Sequence, residues 1–396
     1  MGKIELDHTG SGSGITLSSD GTDLLLDGTA IGGGGGGGAD LYAANESSPT
    51  AQPSATGTNA IAIGDSAVST GTDSFALGKA RATGARSFAV HTGTNIANGA
   101  TTSDCIAIGE FAKATNSMAV AIGRSASATN SQSLSLGFVA TATGTQSTAI
   151  QRGLASGADS FAAHITNNTS SYGATGSNSV AIGKNAKASG NYSLAIGGYN
   201  SAAFGVAAVS IGGNQANKAY GNASFCIGGY QAWNEASDDN SFAMGEGAKS
   251  AVKGKLAYAG GRFSSIGDAQ GGQFILRADT TDATATVLTT NNSSSGSTNQ
   301  IVAASDTCIT FDGTITAMQN GAQSYASWKI EGLLVNDGGT TTLSNSSTTV
   351  IQNSPSWGMT LSADNANNAL AITVTGEAAH NIRWVANIRT SEVTYA

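Results

Sequence analysis

Few side chains in this 396-residue chain stand where they could do chemistry together. Asp238 and Asp239 are the only adjacent carboxylates in its repetitive part. Glycoside cleavage needs two carboxyl groups about 5–9.5 Å apart, and consecutive loop residues point away from each other. His91 and His164 are far apart and form no H-x-H pair, whereas metal binding needs clustered ligands. Four histidines permit a Ser-His-Asp triad by count, but nothing in the sequence positions one. Cys105, Cys226 and Cys308 are odd in number and widely spaced, without a C-x-x-C pair for zinc or redox work. The expectation is a non-enzyme with no catalytic residue, no metal and no cofactor. What remains is contact chemistry. Tyr172, Tyr230, Trp233, Asp238 and Asp239 fall in extra-long loops and are the candidates for contact with a cell-surface glycan or protein, because aromatics on a scaffolded loop bind well. For Tyr172 and Trp233 the competing reading is plain loop packing.

The elements that must carry these loops are repeats. Asn178 to Gly197 reads N-S-V-A-I-G-K-N-A-K-A-S-G, then N-Y-S-L-A-I-G, with fourteen residues from Gly183 to Gly197. The same apolar–small–apolar triplet before glycine occurs at Ile61–Gly64, Phe75–Gly78, Ile106–Gly109, Val120–Gly123, Leu134–Gly137, Val209–Gly212, Phe225–Gly228 and Phe242–Gly245. A fixed short period is the mark of a solenoid, and fourteen residues are too few for a two-helix repeat. Alternation puts Val180 and Ile182 on one face of a short strand and Ala181 on the other. Ala186 and Ala188 alternate again, and Ser189-Gly190 closes a flattened coil of two strands and two turns. One coil cannot fold alone, since ordering each backbone costs roughly 1–2 kcal/mol and its two large apolar residues return roughly 1.5–3 kcal/mol each. Coils must stack, about 4.8 Å apart, and some fourteen of them predict a shaft of roughly 65 Å. The abundant alanines point to a further close contact on their face, most simply with other copies of the chain. Cys226 stands in an alanine slot and reads as a small hydrophobe.

The S-V-A-I-G-x-x-A-x-A-x-G cassette resembles the head repeat of YadA-type trimeric adhesins, from about Thr58 to Ala248. The resemblance implies a left-handed parallel β-roll in which three chains pack side by side. Some coils depart from it. Phe88-Ala89-Val90 ends in His91 and Phe161-Ala162-Ala163 in His164, where glycine belongs. The stretches His91–Gly109, His164–Gly183 and Gly228–Gly245 are long and must leave the stack as loops, carrying Ile96, Asn167 and Asn168 besides the contact candidates.

Either side of the repeats the texture changes. Ile15-Thr16-Leu17 and Leu24-Leu25-Leu26 flank Ser19-Asp20-Gly21 and predict a hairpin within an N-terminal β-domain, residues 1–31. That segment resembles the N-termini of marine phage structural proteins. Gly32 to Gly38 match G-x-G-x-x-G formally but open no helix, so residues 32–57 read as a linker. The repeats occupy 58–248, a transition 249–272, and 273–396 a string of alternating strands separated by Asn/Ser/Gly turns. Seven or eight such strands predict an antiparallel sandwich or jelly roll, with Trp328, Trp357, Trp384 and Arg383 as core and strand packing in preference to the alternative of a sugar site. G-R-F-x-x-x-G-D-A-Q at Gly261–Gln270, L-R-A-D-T-T-D-A-T at Leu276–Thr284, A-L-A-I-T-V-T-G-E-A at Ala369–Ala378 and I-R-W-V-A at Ile382–Ala386 resemble a C-terminal domain of tailed-phage tail-fibre proteins.

Composition narrows the partners. A net charge of −8 argues against nucleic acid or an anionic membrane, and no apolar run reaches 18 residues, so no membrane insertion is expected. Met1 to Asp7 has no apolar signal core, which favours assembly in the host cytoplasm. The whole therefore reads as an all-β phage tail fibre in the virion: a homotrimer that joins other virion tail or capsid proteins through residues 1–31 and attaches to the host without cleaving its receptor. A capsid-decorating fibre and a bacterial trimeric surface adhesin are the alternatives.

Overall fold

The computed structural model describes residues 51–396, apart from 94, 96, 167–170, 214–215, 229–232, 322–323, 354–356 and 396. Before residue 51 it describes four strands, Ile4–Leu6, Ile15–Ser19, Leu24–Leu26 and Thr29–Ala30, joined as an antiparallel meander. The expected hairpin is its centre, with Leu17 opposite Leu26 and Ser19 opposite Leu24.

Each coil of the solenoid carries two strands, a triplet such as Val180–Ile182 and a doublet such as Lys187–Ala188. Triplets stack in parallel from Ile61–Ile63 to Leu256–Gly260, and doublets from Ser54–Ala55 to Lys249–Ser250. The doublet sheet has fourteen strands, so the described strands make the fourteen coils the period predicts. Register is strict: Val180, Ala181 and Ile182 face Leu194, Ala195 and Ile196.

The turns explain the cassette. Asn178 (φ 55°) and Asn185 (φ 58°) take left-handed angles that asparagine tolerates better than most residues. Gly183 (φ 114°) takes one too, and a Cβ there would collide with the carbonyl oxygen of Gly197 on the next coil. His91 and His164 hold the same left-handed position at φ 49° and 58°, the turn position that glycine takes in other coils. The serine of S-V-A-I-G is buried and closes the preceding turn, as when Ser179 Oγ donates to Gly176 O at 2.6 Å.

The two faces of the triplet strand are the reverse of the expectation. Ala181 has no exposed surface within its own chain and packs in the coil interior with Ala186 and Ala188, as do Ala76, Ala107, Ala121 and Ala195 at equivalent positions. The large residues point out instead. Val180 and Ile182 are half-exposed, and Leu77, Phe88, Leu136, Phe242 and Met244 are more so. Two strands so close in sequence enclose a space too thin for branched side chains, so alanine fills it and the bulky residues go outside. The alanine face is thus the core of the coil, not a contact between chains.

The last coil ends at Gly260, and the first strand of the next domain starts at Ala269, so the expected transition is split between two elements. Leu256–Gly260 pairs antiparallel with Ala269–Thr280, Tyr258 opposite Gly271. From there one antiparallel sheet runs through Ile382–Thr394, Thr307–Gln319, Tyr325–Asp337 and Thr340–Gln352. A smaller sheet has Ala369–Thr375 at its centre, Gly358–Asp364 on one side and Thr286–Val287 with Ile301–Val302 on the other. Between them lies the core of Phe274, Phe311, Ile330, Leu370 and Ile372, with Trp328, Trp357 and Trp384 buried at its centre.

The joint between shaft and sandwich is polar and closed. Lys255 stands where other coils bury a serine, and its Nζ meets Glu392 Oε2 at 2.6 Å with both side chains about 6–7% exposed. Glu392 also accepts from Gln270 Nε2 and Thr390 Oγ1, each at 2.7 Å. The Gln270 amide in turn pairs with Lys249, accepting its N–H at 2.8 Å and donating to its carbonyl at 3.0 Å. It thereby satisfies the edge of the doublet sheet, which would otherwise offer unpaired backbone groups.

Candidate functional site

The turns of the solenoid form two edges, one after each triplet and one after each doublet. Tyr172 and Trp233 lie on the first edge, each just before a doublet strand, while Asp238 and Asp239 lie on the second. Tyr230, Ile96, Asn167 and Asn168 fall outside the described residues. The four described candidates therefore do not converge on one place.

Trp233 is held by its neighbour. Asn234 is buried and donates from Nδ2 to the carbonyls of Ile227 and Gly245 at 2.9 and 2.8 Å, while Oδ1 accepts the N–H of Ala248 at 2.8 Å. One amide ties two neighbouring coils together and pins the long turn. The Trp233 ring is 43% exposed and faces the Arg262 guanidinium at 5.3 Å. Phe263, next to Arg262, is 81% exposed. Their loop folds back on the last coil through Gly267 N–H to Gly247 O at 2.7 Å. Asp268 organises it by accepting the N–H groups of Phe263, Ser264 and Ser265 at 2.7–3.0 Å. Burial pushes that carboxyl up, but the backbone donors outweigh burial and hold it below the ordinary value. Arg262 and Phe263 were not singled out from the sequence; the G-R-F…G-D-A-Q run was their only trace.

The other candidates have structural partners. Tyr172 is half-buried against the alanine core, which is the packing alternative. Asp238 Oδ1 accepts the N–H of Asp239 at 2.7 Å, and its carbonyl accepts Ser241 Oγ at 2.6 Å. Asp239 accepts the N–H of Asn222 at 2.8 Å and pairs with Lys253 at 3.4 Å. Asp239 thus fastens neighbouring coils, while the Asp238 carboxylate closes its own turn.

A further site lies at the far end of the sandwich, since Ala269–Thr280 runs away from the joint. There Asp279, Arg383, Met318 and Tyr325 stand directly opposite one another across four adjacent strands. Asp279 and Arg383 form an ion pair at 3.2 Å, and Met318 and Tyr325 are 63% and 57% exposed. A cleft of about 690 Å³ opens beside them, with Asn320, Asn381 and Val385 in its wall. Asp279 is its only carboxylate among the described residues, and no group of three His, Cys, Asp or Glu residues able to hold a metal occurs among them. The cleft offers planar hydrogen-bonding groups beside exposed apolar ones. Arg383 is thus surface chemistry, while the three tryptophans near it are core. Burial pushes the Cys226 thiol up to about 12, so it packs as a neutral hydrophobe.

Comparison with known proteins bears on the coils. Residues 55–80, 106–126, 112–138, 128–150 and 174–199 match the YadA head domain repeat. No curated protein matches the chain. Among solved structures, the tailspike protein of Acinetobacter baumannii phage AM24 aligns over 85% of this chain and 67% of its own at 9% identity, but a TM-score of 0.18 is too low to equate the folds. The sequence likeness therefore rests on the coils, which carry repeats of the YadA head type.

Proposed function

We propose that the chain is one subunit of a homotrimeric, adhesive phage fibre whose coils form the shaft and whose sandwich meets the host. The observation that carries this reading is the outer face of the triplet sheet. Its two columns, one from Ile61 to Leu256 and the other from Ile63 to Tyr258, are apolar at every coil except Thr148. A strip about 60 Å long with bulky apolar side chains half-exposed is far more than a soluble monomer leaves in water. Other copies of the same chain cover it most simply, because a partner with the same coil spacing matches it step for step. The match to YadA head repeats supports the same arrangement.

Residues 1–31 dock the fibre to other virion proteins, with the glycine-rich stretch as a hinge, and the cleft beside Asp279 and Arg383 receives a cell-surface glycan or protein. Three copies then present three such clefts, and weak contacts gain from multivalency. The decisive measurement is the mass of the full chain at low concentration, expected at three times 39.1 kDa. A stable folded monomer at micromolar concentration overturns the reading. Arg383→Ala should leave the trimer intact and abolish blocking of phage adsorption; unchanged blocking moves the contact elsewhere. A surface adhesin is favoured instead if antibodies to the chain label bacterial cells and no phage particle.

A further inference from the structure

We propose that the other broad face of the shaft, built by the outward side chains of the doublet strands, binds a linear acidic polysaccharide along its length. Doublet residues alternate, so the residue before each buried alanine and the residue after it point outward in two parallel columns. The first column holds Arg81, Lys113, Lys187, Lys218 and Lys249 with a single acid, Glu235, and the second is threonine or serine at most coils from Thr56 to Ser237. In a chain of net charge −8, that is a segregated stripe of positive charge.

Four of the six cations on the coil edges have carboxylate partners, the exceptions being Arg152 and Lys184. On the edges, Lys79 pairs with Asp65, Arg86 with Asp104, Arg124 with Glu110 and Lys253 with Asp239. Among the described residues none of the five column cations has a carboxylate within 4 Å, and Arg81 Nε is buried without an acceptor. Near its C-terminal end the hydroxyl column is interrupted by Phe204 and Tyr220, stacked with centroids 4.8 Å apart and planes 7° from parallel. Lys187 lies over Phe204 at 5.1 Å and Lys218 over Tyr220 at 5.8 Å. The rings thereby hold two ammonium groups in place on the open face.

Charge spacing selects the ligand. Lys187, Lys218 and Lys249 are two coils apart in turn, about 10 Å along the shaft at the strand spacing. Duplex DNA carries one charge per roughly 1.7 Å, so most of its phosphates would meet no cation here and would face the negative remainder of the chain. A polysaccharide with one carboxylate per one or two sugars matches a sparse column, and its hydroxyls match the threonines beside it. The rings stack on each other and carry lysines, which leaves no gap for a nucleobase, and a flat two-residue stripe has no apolar wedge for a membrane. The apolar columns lie on the opposite face of the coil, so this surface stays open when they are covered, except at Lys249, where the loop at Gly267 packs against it.

The test uses the full-length protein with immobilised polygalacturonate, neutral dextran and duplex DNA. Binding to polygalacturonate should weaken with salt, and dextran should not be bound. Lys187→Gln with Lys218→Gln should lower the affinity about tenfold at unchanged mass and circular dichroism. Lys113→Gln with Lys249→Gln, the check should the first pair misfold, should lower it as well, whereas Lys79→Gln and Arg383→Ala should not. No binding to polygalacturonate, equal binding to dextran, tighter binding to DNA, or wild-type affinity in a folded lysine pair overturns the proposal. Because Arg383→Ala tests the distal cleft separately, either surface can fail without the other.

Discussion

The two broad faces of the shaft come from the same fourteen coils and have opposite chemistry. The triplet face shows two columns of mostly Val, Ile, Leu and Phe; the doublet face shows mainly threonine and serine, with scattered lysine and arginine among small residues. Both stand on the same buried alanines, so the fold does not require the difference. An interior of methyl groups contributes about 0.8 kcal/mol per buried carbon, while covering a valine or phenylalanine is worth roughly 1.5–3 kcal/mol. The coil has placed its strongest apolar groups where only another molecule can bury them. The doublet face, left polar, is what such an assembly shows to water.

The comparison can be broken from the inside out. Ala181→Arg puts a guanidinium into a space closed to solvent, and an unpaired buried charge costs several kcal/mol. Loss of soluble folded chain is the expected result, measured by expression and circular dichroism; a normal trimer would return alanine to a chain–chain contact. Ile122→Asp with Ile182→Asp on the apolar columns should spare the coil but stop assembly, visible as a fall in sedimenting mass, whereas Ser127→Asp with Thr141→Asp on the doublet face should change nothing. If both pairs behave alike, the faces do not differ in role.

Thiol labelling sharpens the picture of a sealed interior. Cys308 is exposed, whereas Cys226 is buried and stays a neutral thiol below about pH 12. At pH 8 Cys308 should react at once and Cys226 only after unfolding; prompt labelling of both means the coils open. The smallest effect belongs to the edges. Asp65 is held below its ordinary value chiefly by the N–H of Ala51, and Asp104 chiefly by Arg86. A carboxylate lowered in the folded state adds stability that is complete above its unfolded value and is lost as pH falls through the lowered one. Melting temperature should therefore be flat from neutral pH to about 4 and decline below, and Asp104→Asn should flatten the decline. A loss beginning near pH 6 would point to other groups.

Much of this architecture was legible in the sequence. The period gave the number of coils, and alternation gave the sandwich. Alternation by itself defines two faces and not which is inside. The usual preference for burying large residues pointed the wrong way, because the coil interior is filled mainly by alanine and serine while the large triplet residues stay on its outside. The strand Thr340–Gln352 illustrates a second blind spot: T-T-T-L-S-N-S-S-T-T-V-I-Q is exposed nearly throughout, and its polar first half reads as turn rather than strand. Of the candidate contact residues, Trp233 was visible as an aromatic in a long repeat. Arg262 and Phe263 were not, because a single long-range hydrogen bond, Gly267 to Gly247, returns their loop to the coil. The row from Asp279 to Tyr325 depends on the register of four strands, which no local pattern encodes.

The joint at Lys255 also sets how the molecule carries load. Along the shaft, the hydrogen bonds between coils lie parallel to the long axis, so a pull from the tip loads them in series and each coil bears the full force. In the sandwich, which continues the same sheet, each step is stronger, because the 12- and 13-residue strands Ala269–Thr280 and Ile382–Thr394 pair along their length and many bonds share the force. The Lys255–Glu392 pair and the Gln270 amide sit at the change from one regime to the other. Under tension the coils should therefore part before the sandwich does, making the tip the last element to yield and the shaft the part that needs lateral support.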